Sequence, residues 1–213
     1  HAIWVNKHGE RFCDESFYKE YQPRIREWDG TKQEQPNTDI FLVFDGSYRE
    51  RYPLGSFMPG QELPEGMVVV ANTPRELAQR LEIDPERFEK TLARFNANAE
   101  RGEDPDFGRG SWPWAIRLVG DMDYKNPLLG PLNKPPYHAV RLRPVSVGIN
   151  SHGLKWDLDA QVMHVRGRPI EGLYAVGNSA ALLDIGGGYQ SGTSNSRAIT
   201  WGYLAGRHAA ARR

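Results

Sequence analysis

The chain has 213 residues, enough for one large domain or two small ones. Charged residues are 25% and apolar residues 39%, and Lys+Arg equals Asp+Glu at 27 each, so nothing in the charge balance points to nucleic acid or an anionic membrane as partner. No apolar run approaches ~18 residues, which excludes an expected transmembrane helix, and the single Cys13 cannot staple the fold, a count that fits a reducing cytosol.

The sequence opens on His1, and Ala2–Val5 already reads as a strand, so the chain is expected to be cut from something longer. Asn6-Lys7-His8-Gly9 then turns. Glu10–Tyr21 is polar with interspersed aromatics and gives no clear element. Ile40–Phe44 is a short continuous apolar run, expected to be a buried strand, with a short helix over Asp45–Tyr52. Pro53–Gly66 holds three prolines and three glycines and should be irregular; Met67–Ala71 is a second short apolar run.

Two helices have clear start signals. Thr73 is an expected N-cap, with Pro74 at the first helical position and Glu76 closing a capping box. Asp84 caps the next, with Pro85 first and Gly102 as the stop. Phe88, Leu92, Phe95 and Ala99 recur at i, i+4, i+7, i+11, one stripe that reads as core packing. Glu103–Pro136 has no periodicity, but its aromatics argue against disorder. Strands are expected at Ala139–Leu142, Leu154–Trp156, Val162–Val165 and Leu173–Val176, and a final helix over Ser194–Ala211.

The chemistry concentrates near the C-terminus. Leu173–Val176 is an apolar strand stopped by Gly177 and Asn178; glycine allows close ligand approach, and the Asn amide can donate to and accept from hydroxyls. Gly186–Asn195 is a Gly/Ser/Thr-rich loop feeding a helix, whose N-terminus carries about +0.5 of partial charge. That suits a phosphate, a carboxylate or a reduced flavin ring, though an ordinary capped loop has the same pattern.

These pieces resemble the C-terminal flavin segment of the fumarate reductase/3-ketosteroid dehydrogenase flavoprotein superfamily, down to the helix end Trp201-Gly202-Tyr203-Leu204-Ala205-Gly206. Val5–Ser16 resembles that superfamily's VN-x-x-G-x-RF-x-x-E-S segment entering its cap domain. Asp106–Gly110, Asn126–Pro131 and Pro136–Arg141 resemble its 3-ketosteroid dehydrogenase branch, in the branch's order. The resemblance covers nearly the whole chain. It implies an α+β fold in which a mixed α/β cap, residues 38–136, is inserted between remnants of a Rossmann-like FAD-binding domain at 1–37 and 137–213. The Gly-x-Gly-x-x-Gly loop that holds the FAD pyrophosphate is absent from this sequence, since position 191 is Ser where Gly186–Gly188 would need a glycine. An N-terminal FAD-binding portion is therefore expected elsewhere, and the isolated chain is expected to hold FAD weakly or not at all.

The resemblance also implies site residues. FAD would contact Gly177, Asn178, Gly192, Thr193, Ser194 and Asn195. Desaturating the Cα–Cβ bond beside a ketone needs a base, a donor pair on the carbonyl and a hydride acceptor. Tyr189 with the Gly192 N–H matches the branch's ketone-binding pair, and Tyr52, with Tyr48 second, matches its cap-domain base. His152 stands where the branch shows glycine, so it either contacts a substrate carboxylate or packs there, and a true steroid substrate is thereby in doubt. Arg197 is expected to be a charge on the helix surface.

The implied activity is that of an FAD-dependent dehydrogenase of small ketone-containing, steroid-like molecules. The alternatives are a fumarate-reductase-like alkene reductase, and a non-catalytic fragment or subunit of a split flavoenzyme. Metal and hydrolase chemistry are disfavoured: there is no H-E-x-x-H and no Gly-x-Ser-x-Gly. Cys13, beside Asp14 and Glu15, should be an inert thiol.

Overall fold

A computed structural model describes residues 1–145, 152–185 and 192–212. The chain is α+β and divides into two compact units, residues 1–144 and 145–213.

The first unit is built on a four-stranded antiparallel sheet of β1 (Ile3–Asn6), β2 (Ile40–Phe44), β3 (Val69–Ala71) and β4 (Tyr137–Leu142), in the order β1-β2-β4-β3. Its strands thus come from all three segments distinguished above. Ile3, Val5, Phe41, Val43, Ala71, Tyr137 and Ala139 share one face, as the strand period of two dictates. Against that face pack α3 (Pro74–Arg80) and α4 (Pro85–Arg101), through Leu77, Ala78, Phe88, Leu92, Phe95 and Ala99. The opposite face carries Ile40, which packs with Phe12 and Cys13. Both faces of β2 are covered, which is why its run is continuously apolar.

The helix ends follow their caps. Thr73 Oγ1 accepts from the Glu76 N–H at 3.1 Å, and Glu76 reaches back to the Asn72 N–H at 3.0 Å. Asp84 accepts from the N–H groups of Glu86 and Arg87, and Gly102 ends α4 at φ +76°. Two helices appear where periodicity is silent: α1 (Tyr18–Ile25), which holds Pro23 internally, and α5 (Pro113–Val119), started by its proline. The short helix expected after β2 is α2 (Gly46–Arg51), capped by Asp45.

In the first unit the Asn6–Gly9 turn closes with Gly9 N–H on Asn6 O at 2.9 Å. Gly9 has φ +77°, and a Cβ there would lie 3.1 Å from Phe88 Cβ, so both conformation and space require glycine. Arg11 and Glu15 then enter a buried ion network. Glu15 accepts from Arg11 Nε (2.8 Å) and Nη2 (2.9 Å), from Arg109 Nη1 (3.1 Å) and from the Trp4 N–H (3.1 Å). Arg11 also spans Asp104 at 3.0 Å, and Arg109 donates to Ala2 O at 2.6 Å. The RF-x-x-E motif and the Asp104–Arg109 segment, more than 90 residues apart, are therefore one structural feature.

The second unit contains β5 (Gln161–Met163) paired antiparallel with β6 (Pro169–Tyr174), and the 19-residue helix α6 (Thr193–Ala211). Its core is Trp156, Val162, Ala175 and Ala180, with Ile170 and Trp201 against it. The strand expected at Leu154–Trp156 is reduced to isolated bridges, Leu154 to Ala180 and Trp156 to Val162. No helix among the described residues is long and apolar enough to cross a membrane.

Candidate active site

Gly177-Asn178-Ser179 forms a 3-10 turn after Ala175 and Val176. Gly177 stands at φ +58°, and a Cβ there would only touch Ala198 Cβ at 3.5 Å. The turn thus packs on α6, with Asn178 exposed. At the other end of the expected contact set, Gly192 is the N-cap of α6 at φ +88°. A Cβ on Gly192 would meet nothing within 4 Å, so there is open space beside this residue. A 19-residue helix begins there, and its N-terminal field favours negative charge by ~0.3–1 kcal/mol. The residues present therefore fit an anionic or electron-rich planar group. Tyr189, with Gly186–Ser191 around it, lies outside the described residues, as does Gly148–Ser151.

The segment up to Ile185 is anchored by residues that sequence reasoning missed. Arg197, expected on the helix surface, is buried instead, at 7% exposure. Its Nε donates to both Asp184 carboxylate oxygens at 2.8 and 2.9 Å, and its Nη2 to Ala181 O at 3.1 Å. Trp201, one turn on, donates Nε1 to Asp184 Oδ2 at 2.9 Å. Burial alone would raise the Asp184 carboxyl, but Arg197 and Trp201 outweigh it and hold it below its ordinary value. The i, i+4 spacing of Arg197 and Trp201 was the only legible sign of this; the partner Asp184 was not.

His152 is exposed, beside Gly153. A Cβ on Gly153 would come within 2.4 Å of Ala180 C and Ala181 N, so this glycine admits the backbone of the 180–181 segment. His152 is thereby held next to the segment that leads to Asp184.

In the first unit, Tyr52 follows α2 and donates its hydroxyl to Asp121, which also accepts from Arg51 Nη2 at 2.8 Å. Burial and the Asp121 carboxylate both push the Tyr52 phenol well above its ordinary value. Tyr48, edge-on to Tyr52 with centroids 5.2 Å apart, donates to Pro53 O at 3.2 Å. Both are protonated phenols, and Tyr52 is arranged as a donor rather than a resting phenolate. Cys13 is fully buried, and burial followed by the Glu15 charge drives its thiol far up, so it is inert. Among the described residues no group of three or more His, Cys, Asp or Glu could hold a metal ion.

Residues 2–196 match the family model described as FAD binding domain. The chain is 39% identical over 209 residues to 4-oxocyclohexanecarboxylate 2-dehydrogenase of Sinomonas cyclohexanicum, covering 97% of the chain and 36% of that relative. It is 35% identical over 219 residues to 3-oxosteroid 1-dehydrogenase of Mycobacterium tuberculosis, covering 98% of the chain and 38% of the relative. Among solved structures, 3-ketosteroid delta1-dehydrogenase of Sterolibacterium denitrificans superimposes with a TM-score of 0.87 at 32% identity, over 100% of the chain and 39% of its own. The chain thus spans little more than a third of the length of the proteins it matches. The match over residues 2–196 shows that the chain belongs to the FAD binding domain family, and its cofactor is FAD.

Proposed function

We propose that the chain is the C-terminal part of an FAD-dependent dehydrogenase that removes or adds hydrogen across the Cα–Cβ bond next to a ring ketone. The observation carrying this is the start of α6 at Gly192, φ +88°, in a chain similar throughout to ring-ketone dehydrogenases. FAD, when bound, supplies the hydride acceptor. Residues 1–37 and 137–213 would belong to its domain and 38–136 to the cap over the substrate.

On this reading Gly177, Asn178, Thr193, Ser194 and Asn195 contact the cofactor, and Tyr189 with the Gly192 N–H polarises the ketone. Polarisation acidifies the α-proton, so the base need not be strong. Tyr52 is a proton donor paired with Asp121; to act as base it would have to pass its own proton to a carboxylate that Tyr52 and Arg51 hold below its ordinary value. His152 borders the substrate side. Asp184, Arg197 and Trp201 anchor the chain a few residues before Tyr189.

The test uses the longer protein bearing this chain, with FAD bound. Adding a saturated ring ketone without oxygen should bleach the visible flavin band, and Tyr189→Phe should abolish the bleaching while keeping the flavin. Bleaching at the wild-type rate in Tyr189→Phe would remove that residue from the chemistry. The 213-residue chain alone, which contains no Gly-x-Gly-x-x-Gly, should purify without stoichiometric FAD; a fully loaded yellow chain would overturn the division of the site.

A further inference from the structure

Helix α6 has two faces of different chemistry. Arg197, Trp201 and His208, at i, i+4 and i+11, share the inner one. Arg197 bonds Asp184, the Trp201 ring sits edge-on to Trp156 with centroids 4.3 Å apart, and His208 Nδ1 lies 2.8 Å from the Tyr174 hydroxyl. The outer face carries Ile199, Tyr203, Gly206 and Ala210, at i, i+4, i+7 and i+11. Ile199 is 73% exposed and Tyr203 65%, and Gly206 and Ala210 are exposed as well. From Ala198 to Gly206 the helix has no charged residue. Arg207, 5.7 Å from the centroid of the Tyr203 ring, forms the charged edge of the strip.

This protein builds a solvated helix face differently. On α4 the exposed positions include Glu86, Arg87, Lys90, Arg94, Glu100 and Arg101. A surface helix is apolar on one stripe and charged on the other, and a helix apolar on both sides is covered on both. The glycines point the same way. Glycine is the poorest helix former after proline, yet Gly202 and Gly206 stand one turn apart inside α6. A Cβ on either would meet nothing within 4 Å, so no described neighbour uses the room they leave. A strip without side chains lets a second element pack at short interaxial distance.

The size of the strip narrows its occupant. One helix stripe supplies far fewer than the roughly 20–30 residues a side of a self-standing dimer interface. Another part of the same polypeptide needs no such area, because its association is intramolecular. The chain covers 36% and 38% of two relatives' lengths, and its sequence holds no Gly-x-Gly-x-x-Gly loop for the FAD pyrophosphate. We infer that the outer face of α6 is the docking surface for the part of the longer protein that carries that loop, seated on Ile199 and Tyr203 and closely packed against Gly202 and Gly206. The identity of this occupant rests on the function proposed above, whereas the covering of the face is tested independently of it.

Cys13 is buried and is the sole cysteine of the chain, so Tyr203→Cys adds a single reactive thiol to it. Its alkylation by iodoacetamide is read by mass spectrometry on the peptide bearing position 203. The rate should be about tenfold or more slower in the longer protein than in the 213-residue chain. If that change itself disturbs the docking, Ile199→Cys reports from the same face. Gly206→Leu gives a second reading. In the 213-residue chain it puts a good helix former on an exposed face and should raise the thermal midpoint by about 2–4 °C. In the longer protein it should lower the midpoint, because the added side chain meets the packed partner. Equal alkylation rates in the two proteins, or a midpoint raised by Gly206→Leu in both, would overturn the inference. So would protection that sets in as the 213-residue chain is concentrated, which assigns the face to a second copy. Protection in a longer protein that holds no FAD would keep the covered face and refute the FAD-dependent reading above; bound FAD with position 203 reacting as fast as in the chain alone would do the reverse.

Discussion

Replacing Glu15 by Gln is the sharpest test of how the first unit is held together. Glu15 is enclosed and accepts four hydrogen bonds, two from Arg11 and one each from Arg109 and the Trp4 N–H. A glutamine has one acceptor oxygen, and its NH₂ would face guanidinium donors. Arg11 and Arg109, both 7% exposed or less at their side chains, would then be left with Asp104 and Ala2 O. Removing one partner of a buried ion pair costs about 3–5 kcal/mol, chiefly because the other charge stays buried. With a urea slope of about 2 kcal/mol/M for a unit of this size, the midpoint should fall by about 1.5–2.5 M. The pH dependence adds a second signature. Burial by itself raises the Glu15 carboxyl, but Arg11 and Arg109 outweigh it, so its folded value lies below the ordinary 4.5. A depressed carboxylate contributes stability above pH 4.5 that is lost as pH falls through the folded value. Urea melts followed by circular dichroism from pH 7 downwards should therefore show the wild type and Glu15→Gln converging in acid. A loss under about 1 kcal/mol at pH 7, or a gap that widens in acid, would refute the account of the network.

Two further changes probe the second unit. Gly153→Ala places a methyl 2.4 Å from the Ala180–Ala181 backbone and should cost about 1–3 kcal/mol, read as a lower thermal midpoint; an unchanged midpoint would show that this segment yields freely. Arg197→Met keeps the helix and the stem but leaves Asp184 only the Trp201 donor, and should lose about 2–4 kcal/mol, with Asp184→Asn costing less because Arg197 retains Ala181 O. On the function proposed above, Arg197→Met in the longer protein should also lower turnover at saturating ketone without loss of FAD.

Much of this protein was legible in its sequence, and the reasons are local. Caps at Thr73, Asp84 and Gly102, the 3.6-residue stripe from Phe88 to Ala99 and the apolar run Ile40–Phe44 depend on neighbours in sequence, so α3, α4 and β2 stand where the residues place them. So does the glycine-led start of α6. Helices α1 and α5 are short, with internal or initial prolines and no buried stripe, and left no periodic trace. The rest depends on partners far along the chain. Glu15 meets Arg109 94 residues away, and Arg51 meets Asp121 across 70. Arg197 looked like a surface charge because its burial is set by Asp184, 13 residues back. Periodicity and capping report how a segment satisfies its own backbone, whereas the pairing of buried charges is decided by which segments the fold brings together.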